Sequence, residues 1–164
     1  MKLLKECIPY IIIIAVVILI RTFLITPVRV QGTSMVPTLE DKQILLLNKW
    51  NHNYERFQIV VLDYHGTKLV KRIVGLPGDN VFYQKGKLYI NDKEVKETFQ
   101  HGKTGDFKLE ELGYDEIPND YYFVMGDNRM NSTDSRTIGL VAKKDILGTT
   151  NFSLFPFNRF GSIK

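Results

Sequence analysis

The run IPYIIIIAVVILI, Ile8 to Ile20, constrains this chain more than any other feature. Arg21 interrupts it and TFLITPV continues it. Counted from Ile8 through Ile25, the stretch would be about 27 Å long as a helix rising 1.5 Å per residue. A bilayer's hydrocarbon core is about 30 Å thick, and Arg21, near one end, would snorkel to the headgroups. Two other readings compete. A cleaved signal peptide needs a small-x-small site after its apolar core, and IRTFLITPVRV offers none. A helix buried in a soluble core would be amphipathic, whereas IIIIAVVILI is apolar on every face. The expectation is therefore an uncleaved membrane anchor within residues 1–27. Lys2 and Lys5 precede the run and Arg21 and Arg29 follow it, so the excess of positive charge gives only a lean toward a cytoplasmic N-terminus.

Beyond Val30 the texture changes to short β-branched or aromatic runs: QILLLN, FQIVVLDY, KLVKRIVG, DNVFYQ, KLYIND and DYYFVMGD. Turn-forming stretches separate them, among them HGTK, LPGDN, QKGK, NDKE and MGDNR. VFYQKGKLYINDKEV reads as a hairpin around Gly86 followed by a turn at Asn91-Asp92. The polar segment HGKTGDFKLEELGYDEIPND, 101–120, reads as an exposed excursion with one short helical candidate near Leu109. The C-terminal aromatics Phe152, Phe155, Phe157 and Phe160, with Leu154, read equally well as a core strand or as a contact with a membrane interface. Residues 28–164 suffice for one hydrophobic core. The expected fold class is mainly β: an antiparallel β-sheet domain with one N-terminal transmembrane helix.

Composition removes some functions. Lys and Arg total 22 against 18 Asp and Glu, a net charge of +4, and the charges are dispersed rather than gathered into a stripe. No nucleic-acid partner is expected. Cys7 is the single cysteine and cannot form an internal disulfide, and His52, His65 and His101 lack metal-site spacing. No metal and no cofactor are expected.

Three segments carry residues suited to chemistry. In GTSMVPTL, Ser34 sits between Gly32, which tolerates unusual backbone angles, and Pro37, which stiffens the loop. A serine is a weak nucleophile until a base takes its proton; alone, Ser34 is an ordinary loop residue. In LVKRIVGLPGD, strand alternation puts Lys71 and Arg72 on opposite faces, so one cation enters or skirts the interior. Lysine can lose its charge there and arginine effectively cannot. Apolar burial that lowers a lysine from about 10.4 to 7–8 costs roughly 3–5 kcal/mol and yields a general base; an edge lysine in water is the plainer alternative. In MGDNRMNSTDSRTIG, two arginines and two aspartates follow an apolar strand. They suit an ion-pair corner, a shell that orients a base, or both.

Taken together, SMVPTL, LVKRIVGLPGD and GDNRMNSTDSR, in that order behind an apolar anchor and ahead of FPFNRFGSIK, resemble the type I signal peptidases, in their compact Gram-positive-like form without a large insertion domain. The resemblance implies Ser34 as nucleophile and Lys71 as general base. It implies that Ser132 hydrogen-bonds and orients the lysine, with Asp134 and Arg136 as a supporting pair. Arg72 and Asp127 would be structural partners, and Met35 would line the substrate cleft. It divides the chain into a cytoplasmic tail and signal anchor, 1–27, and an extracytoplasmic Ser-Lys peptidase domain, 28–164. The implied activity is removal of N-terminal signal peptides from exported preproteins with small residues at −1 and −3. The implied partners are those preproteins, membrane lipid and the protein translocation machinery, at a single-pass cell-membrane location. One departure stands out. Some members carry a serine two residues before the nucleophile that helps bind the oxyanion, and this chain has Gly32. Its oxyanion hole would rest on backbone N–H groups. A penicillin-binding type is excluded, because it needs S-x-x-K and Ser34 is followed by Met35, Val36 and Pro37. Two rivals remain: a self-cleaving repressor-type Ser-Lys protease, which would carry a DNA-binding domain where this chain has an apolar run, and a membrane-anchored β module that binds partners without catalysis.

Overall fold

The computed structural model describes residues 2–23, 25–50 and 52–163, with the backbone alone for 2–5, 19–23 and 25. A helix, α1 (Lys2–Phe23), precedes strand β1 (Ile25–Arg29). The strands that follow are β2 (Ile44–Asn48), β3 (Ile59–Tyr64), β4 (Thr67–Gly75), β5 (Val81–Gln84), β6 (Lys87–Ile90), β7 (Lys93–Val95), β8 (Phe107–Lys108) and β9 (Tyr121–Met125). After the single turn of α2 (Ser135–Ile138) come β10 (Val141–Ala142), β11 (Ile146–Phe155) and β12 (Gly161–Ser162). The main sheet runs β1-β2-β11-β3-β4-β9-β10 with β12 on β11, and a smaller sheet runs β7-β6-β5-β8. The strand pairings described are antiparallel, as the sequence pattern predicts.

Turn chemistry sets the registers. His65-Gly66, Lys85-Gly86 and Asn91-Asp92 each place two successive residues at positive φ between strands. That is the two-residue hairpin geometry whose twist matches that of the flanking strands. The β3–β4 hairpin thereby pairs Val60 with Lys71 and Ile59 with Arg72.

Three apolar clusters hold the sheets. Val60, Leu62, Ile73, Val124 and Ile146 form one, and Met35, Leu39, Leu45, Val61 and Val70 another. The third joins the small sheet to β9 through Tyr83, Leu88, Phe107 and Phe123, with the Phe107 and Phe123 ring centroids 5.2 Å apart. This corrects the reading of 101–120 as an exposed excursion. Thr104, Phe107, Leu109 and Ile117 are buried, because the polar segment delivers an apolar residue at each point where it crosses the second core. The short helical candidate near Leu109 is a 3₁₀ turn, Leu109–Leu112.

β11 runs through the middle of the main sheet, while Phe155, Phe157 and Phe160 are exposed. The C-terminal aromatics thus serve as strand and as surface. Along α1, the side chains of residues 6–18 are all exposed. Among the described residues no helix is long and apolar enough to cross a membrane. Of the expected anchor, 1–27, positions 1 and 24 lie outside the described residues, and 25–27 belong to β1.

Candidate active site

Ser34, Lys71 and the turn after β9 meet at one place. β9 pairs with β4 at Arg72, Ile73 and Gly75, which sets Lys71 just past the end of that ladder. Its Nζ lies 2.6 Å from Ser34 Oγ. Lys71 is 2% exposed, and its pKa falls from 10.5 to about 8. Burial is the cause, opposed by the negative charges of Asp134 and Asp127. A lysine in that state is neutral in an appreciable fraction of molecules near neutral pH and stands within proton-transfer distance of a hydroxyl.

The serine loop is mounted by backbone bonds. Gly32, at φ +81°, donates its N–H to Asp41 Oδ1 at 2.8 Å. Val36 N–H bonds Thr33 O (3.2 Å) and Leu39 N–H bonds Met35 O (2.9 Å). Ser34 O accepts from Asn128 N–H (3.0 Å), and Thr33 O accepts from Asn128 Nδ2 (3.1 Å). Met35 is buried among Leu39, Leu45 and Val28. It supports the loop from beneath rather than standing open on a cleft, which corrects the expectation for it.

Both cations of β4 are buried, a more demanding arrangement than the one-in, one-out pattern expected. Arg72 Nε and Nη2 grip Asp127 at 2.9 and 2.7 Å, and Nη1 donates to Phe57 O at 2.8 Å. The guanidinium carbon lies 3.9 Å from the Phe99 ring centroid, a cation–π contact. Asp127, fully buried, also accepts from Thr38 Oγ1 at 2.5 Å, so this pair ties β4 to the serine loop. Asp134 accepts from Arg136 Nε and Nη2 (2.9 and 2.8 Å) and from Gly126 N–H (3.0 Å). Burial pushes its pKa up, but the bonds from Arg136 and Gly126 outweigh it and hold the carboxyl below the ordinary aspartate value.

Ser132 differs from expectation. Its Oγ is buried and makes no hydrogen bond, so the bond to Lys71 is not formed here. The hydroxyl is close enough to Asp134 to favour the carboxylate, and it packs on Gly126, where a Cβ would collide with both Ser132 Oγ and Ser34 O.

Several contributors went unread in the sequence. Arg129 pairs with neither nearby aspartate. It bonds Glu97 Oε1 (2.5 Å), Tyr83 OH (3.0 Å), Thr104 Oγ1 (2.8 Å) and Gly126 O (3.1 Å). Phe99 and Glu97 carried no motif, and Asn128, inside GDNRMNSTDSR, read only as a turn residue. Among the described residues no group of His, Cys, Asp and Glu is arranged to hold a metal ion.

Comparison with known proteins decides the family. Residues 4–155 match the model of signal peptidase, peptidase S26. The chain belongs to the signal peptidase I family. It is 46% identical over 165 residues to the signal peptidase I of Bacillus amyloliquefaciens, covering 93% of this chain and 89% of that one. It is 43% identical over 160 residues to signal peptidase I S of Bacillus subtilis (strain 168), covering 90% and 87%. A crystal structure of a signal peptidase I from Enterococcus faecalis superposes with a TM-score of 0.55 at 34% identity, over 59% of this chain and 96% of that one. The protein is thus a signal peptidase I-type serine endopeptidase with a mainly antiparallel β fold.

Proposed function

We propose that this enzyme is a membrane-anchored Ser-Lys endopeptidase that removes N-terminal signal peptides from exported preproteins at the extracytoplasmic face of the cell membrane. The observation that carries the reading is the 2.6 Å contact between Ser34 Oγ and a buried Lys71 Nζ. Neutral Nζ takes the Ser34 proton as Oγ attacks the scissile carbonyl carbon, and the C–O bond forms while charge passes to the carbonyl oxygen. The Ser34 N–H stabilises that oxyanion. Protonated Nζ then gives its proton to the leaving amine as the C–N bond breaks. Water attacks the acyl-enzyme, Lys71 takes a proton from it, and Oγ recovers that proton when the ester is cleaved. Asp134 with Arg136, and Asp127 with Arg72, hold the frame around the lysine. Ser132 would orient its ammonium after proton transfer, when three donors replace two.

Substrate binding has a natural place. The β9 register on β4 starts at Arg72, which leaves the outer edge of Lys68–Val70 free among the described residues. An extended peptide can add there as a strand, its carbonyl beside Ser34, with small side chains at −1 and −3 facing the enzyme. The anchor would be α1 together with the apolar positions around it. Exposed Phe155, Phe157 and Phe160 suit an aromatic belt at the interface, where preproteins arrive from the translocation machinery. The test is cleavage of a purified preprotein by detergent-solubilised enzyme. Ser34→Ala and Lys71→Ala should each lose activity by at least about 10³-fold; normal turnover by either variant would end the reading.

A further inference from the structure

We propose that Asn128 is a positioning residue that aims the Ser34 N–H at the oxyanion. The inference rests on the Ser-Lys reading above and assigns its oxyanion donor. Gly32 contributes no side chain, and its N–H is already committed to Asp41 Oδ1. The Val36 N–H is committed to Thr33 O. The Ser34 N–H donates to no protein partner among the described residues and belongs to the nucleophile's own residue, so its direction bears on how well charge is stabilised in the tetrahedral intermediate.

That direction is set from the far side of one peptide plane. The Thr33 carbonyl and the Ser34 N–H belong to the same rigid peptide unit, which is trans here, so they point in opposite directions. Asn128 Nδ2 holds Thr33 O at 3.1 Å, and the plane cannot rotate without breaking that bond. The next plane is held by the same residue, since Asn128 N–H bonds Ser34 O at 3.0 Å. Asn128 thus grips the peptide units on both sides of the nucleophile, one through its side chain and one through its backbone.

The grip has a firm base. Asp127 is fully buried and bonded to Arg72 and Thr38, and its carbonyl accepts from Gly102 N–H at 2.8 Å. Asn131 N–H closes the turn onto Asn128 O at 2.9 Å. Losing the Asn128 side chain leaves the backbone bond to Ser34 O and the whole Lys71–Ser34 contact in place. It removes one of the two bonds on the Thr33 carbonyl, leaving that from Val36 N–H at 3.2 Å, and so loosens only the plane that carries the oxyanion donor. The expected consequence is a loss in transition-state stabilisation with the base untouched.

The experiment uses the full-length chain in detergent, with Asn128→Ala and the near-isosteric, uncharged Asn128→Leu, both of which remove the donor without adding charge beside Lys71. Preprotein cleavage should show kcat lower by about ten- to a hundredfold, with KM and the midpoint of the rising pH limb unchanged. A peptide aldehyde ending in alanine, which forms a tetrahedral adduct with Ser34, should bind more weakly by the same factor. The matching peptide carboxylate, a ground-state product, should bind as before. Turnover within twofold of wild type in both variants would overturn the inference. So would a loss shared equally by aldehyde and carboxylate, or one accompanied by a shifted pH midpoint, because Asn128 would then merely hold the loop together. A wild-type chain that cleaves nothing overturns the proteolytic reading and this inference with it; an active wild type with unaffected variants overturns this inference alone.

Discussion

Replacing Lys71 by methionine should stabilise the protein while destroying its activity, and the gain should fade as pH rises. Lys71 is buried, and its pKa falls from 10.5 to about 8 in the fold. At 1.36 kcal/mol per pH unit, burying its charged form costs about 3 kcal/mol, a net figure that already includes attraction to Asp134 and Asp127. The sign follows from proton linkage. Between about pH 8 and pH 10.5 the unfolded chain binds more protons than the folded one, so wild-type stability rises with pH across that window. Below it the full cost is present, and above it both states are neutral and the cost is gone. Methionine has nearly the same shape and no charge, but it leaves Ser34 Oγ without its partner, at about 1 kcal/mol. The net gain at pH 7 is about 2 kcal/mol, or about 4–8 °C in Tm for a chain of this size. Unfolding of wild type and Lys71→Met, compared at pH 7 and pH 10.5, separates the contributions. Packing and hydrogen-bond changes cancel between the two pH values, leaving a difference of about 3 kcal/mol from the amine alone. A Lys71→Met protein whose stability tracks wild type in parallel across that range would refute the argument that burial holds the amine uncharged.

Asp127→Asn keeps the shape but leaves the Arg72 guanidinium buried without its counter-charge, which costs about 3–5 kcal/mol. A thermal melt should show Tm lower by about 6–20 °C. Gly126→Ala places a methyl group against Ser132 Oγ and Ser34 O. The nucleophile must shift, and preprotein cleavage assays should record a loss of about 10²-fold with a stability change of only about 1–3 kcal/mol.

The sequence was most legible where a local rule decides the outcome. The two-residue turns at Lys85-Gly86 and Asn91-Asp92 could be read directly because Gly86, Asn91 and Asp92 are residue types that tolerate the positive φ such turns need. Ser34 and Lys71 were legible through the segments around them. β11 was not, although it lies at the centre of the main sheet. Its run ILGTTNFSLF mixes Gly, Thr, Asn and Ser with apolar residues, and burial alternates along it without a clear hydrophobic alternation in the sequence. The buried Arg129–Glu97 pair joins residues 32 positions apart, a distance at which no periodicity signals a partner. Phe99 over Arg72 is hidden for the same reason. The 101–120 segment misled because its many surface charges mask the three large side chains, Phe107, Leu109 and Ile117, that dock it onto the second core. Met35 and Ser132 show the limit of carrying roles over by position. Their places in the loop and the turn were right, but burial of Met35 and the missing hydrogen bond of Ser132 depend on contacts that only the folded chain defines.

The central claim is that Lys71 acts as an uncharged base on Ser34, and the pH dependence of kcat/KM for preprotein cleavage tests it most directly. The rising limb should follow loss of a single proton with a midpoint at about 8, because the free enzyme's base titrates there. A limb that rises only near pH 10.5, or a rate that stays flat from pH 6 to pH 10, would contradict the account.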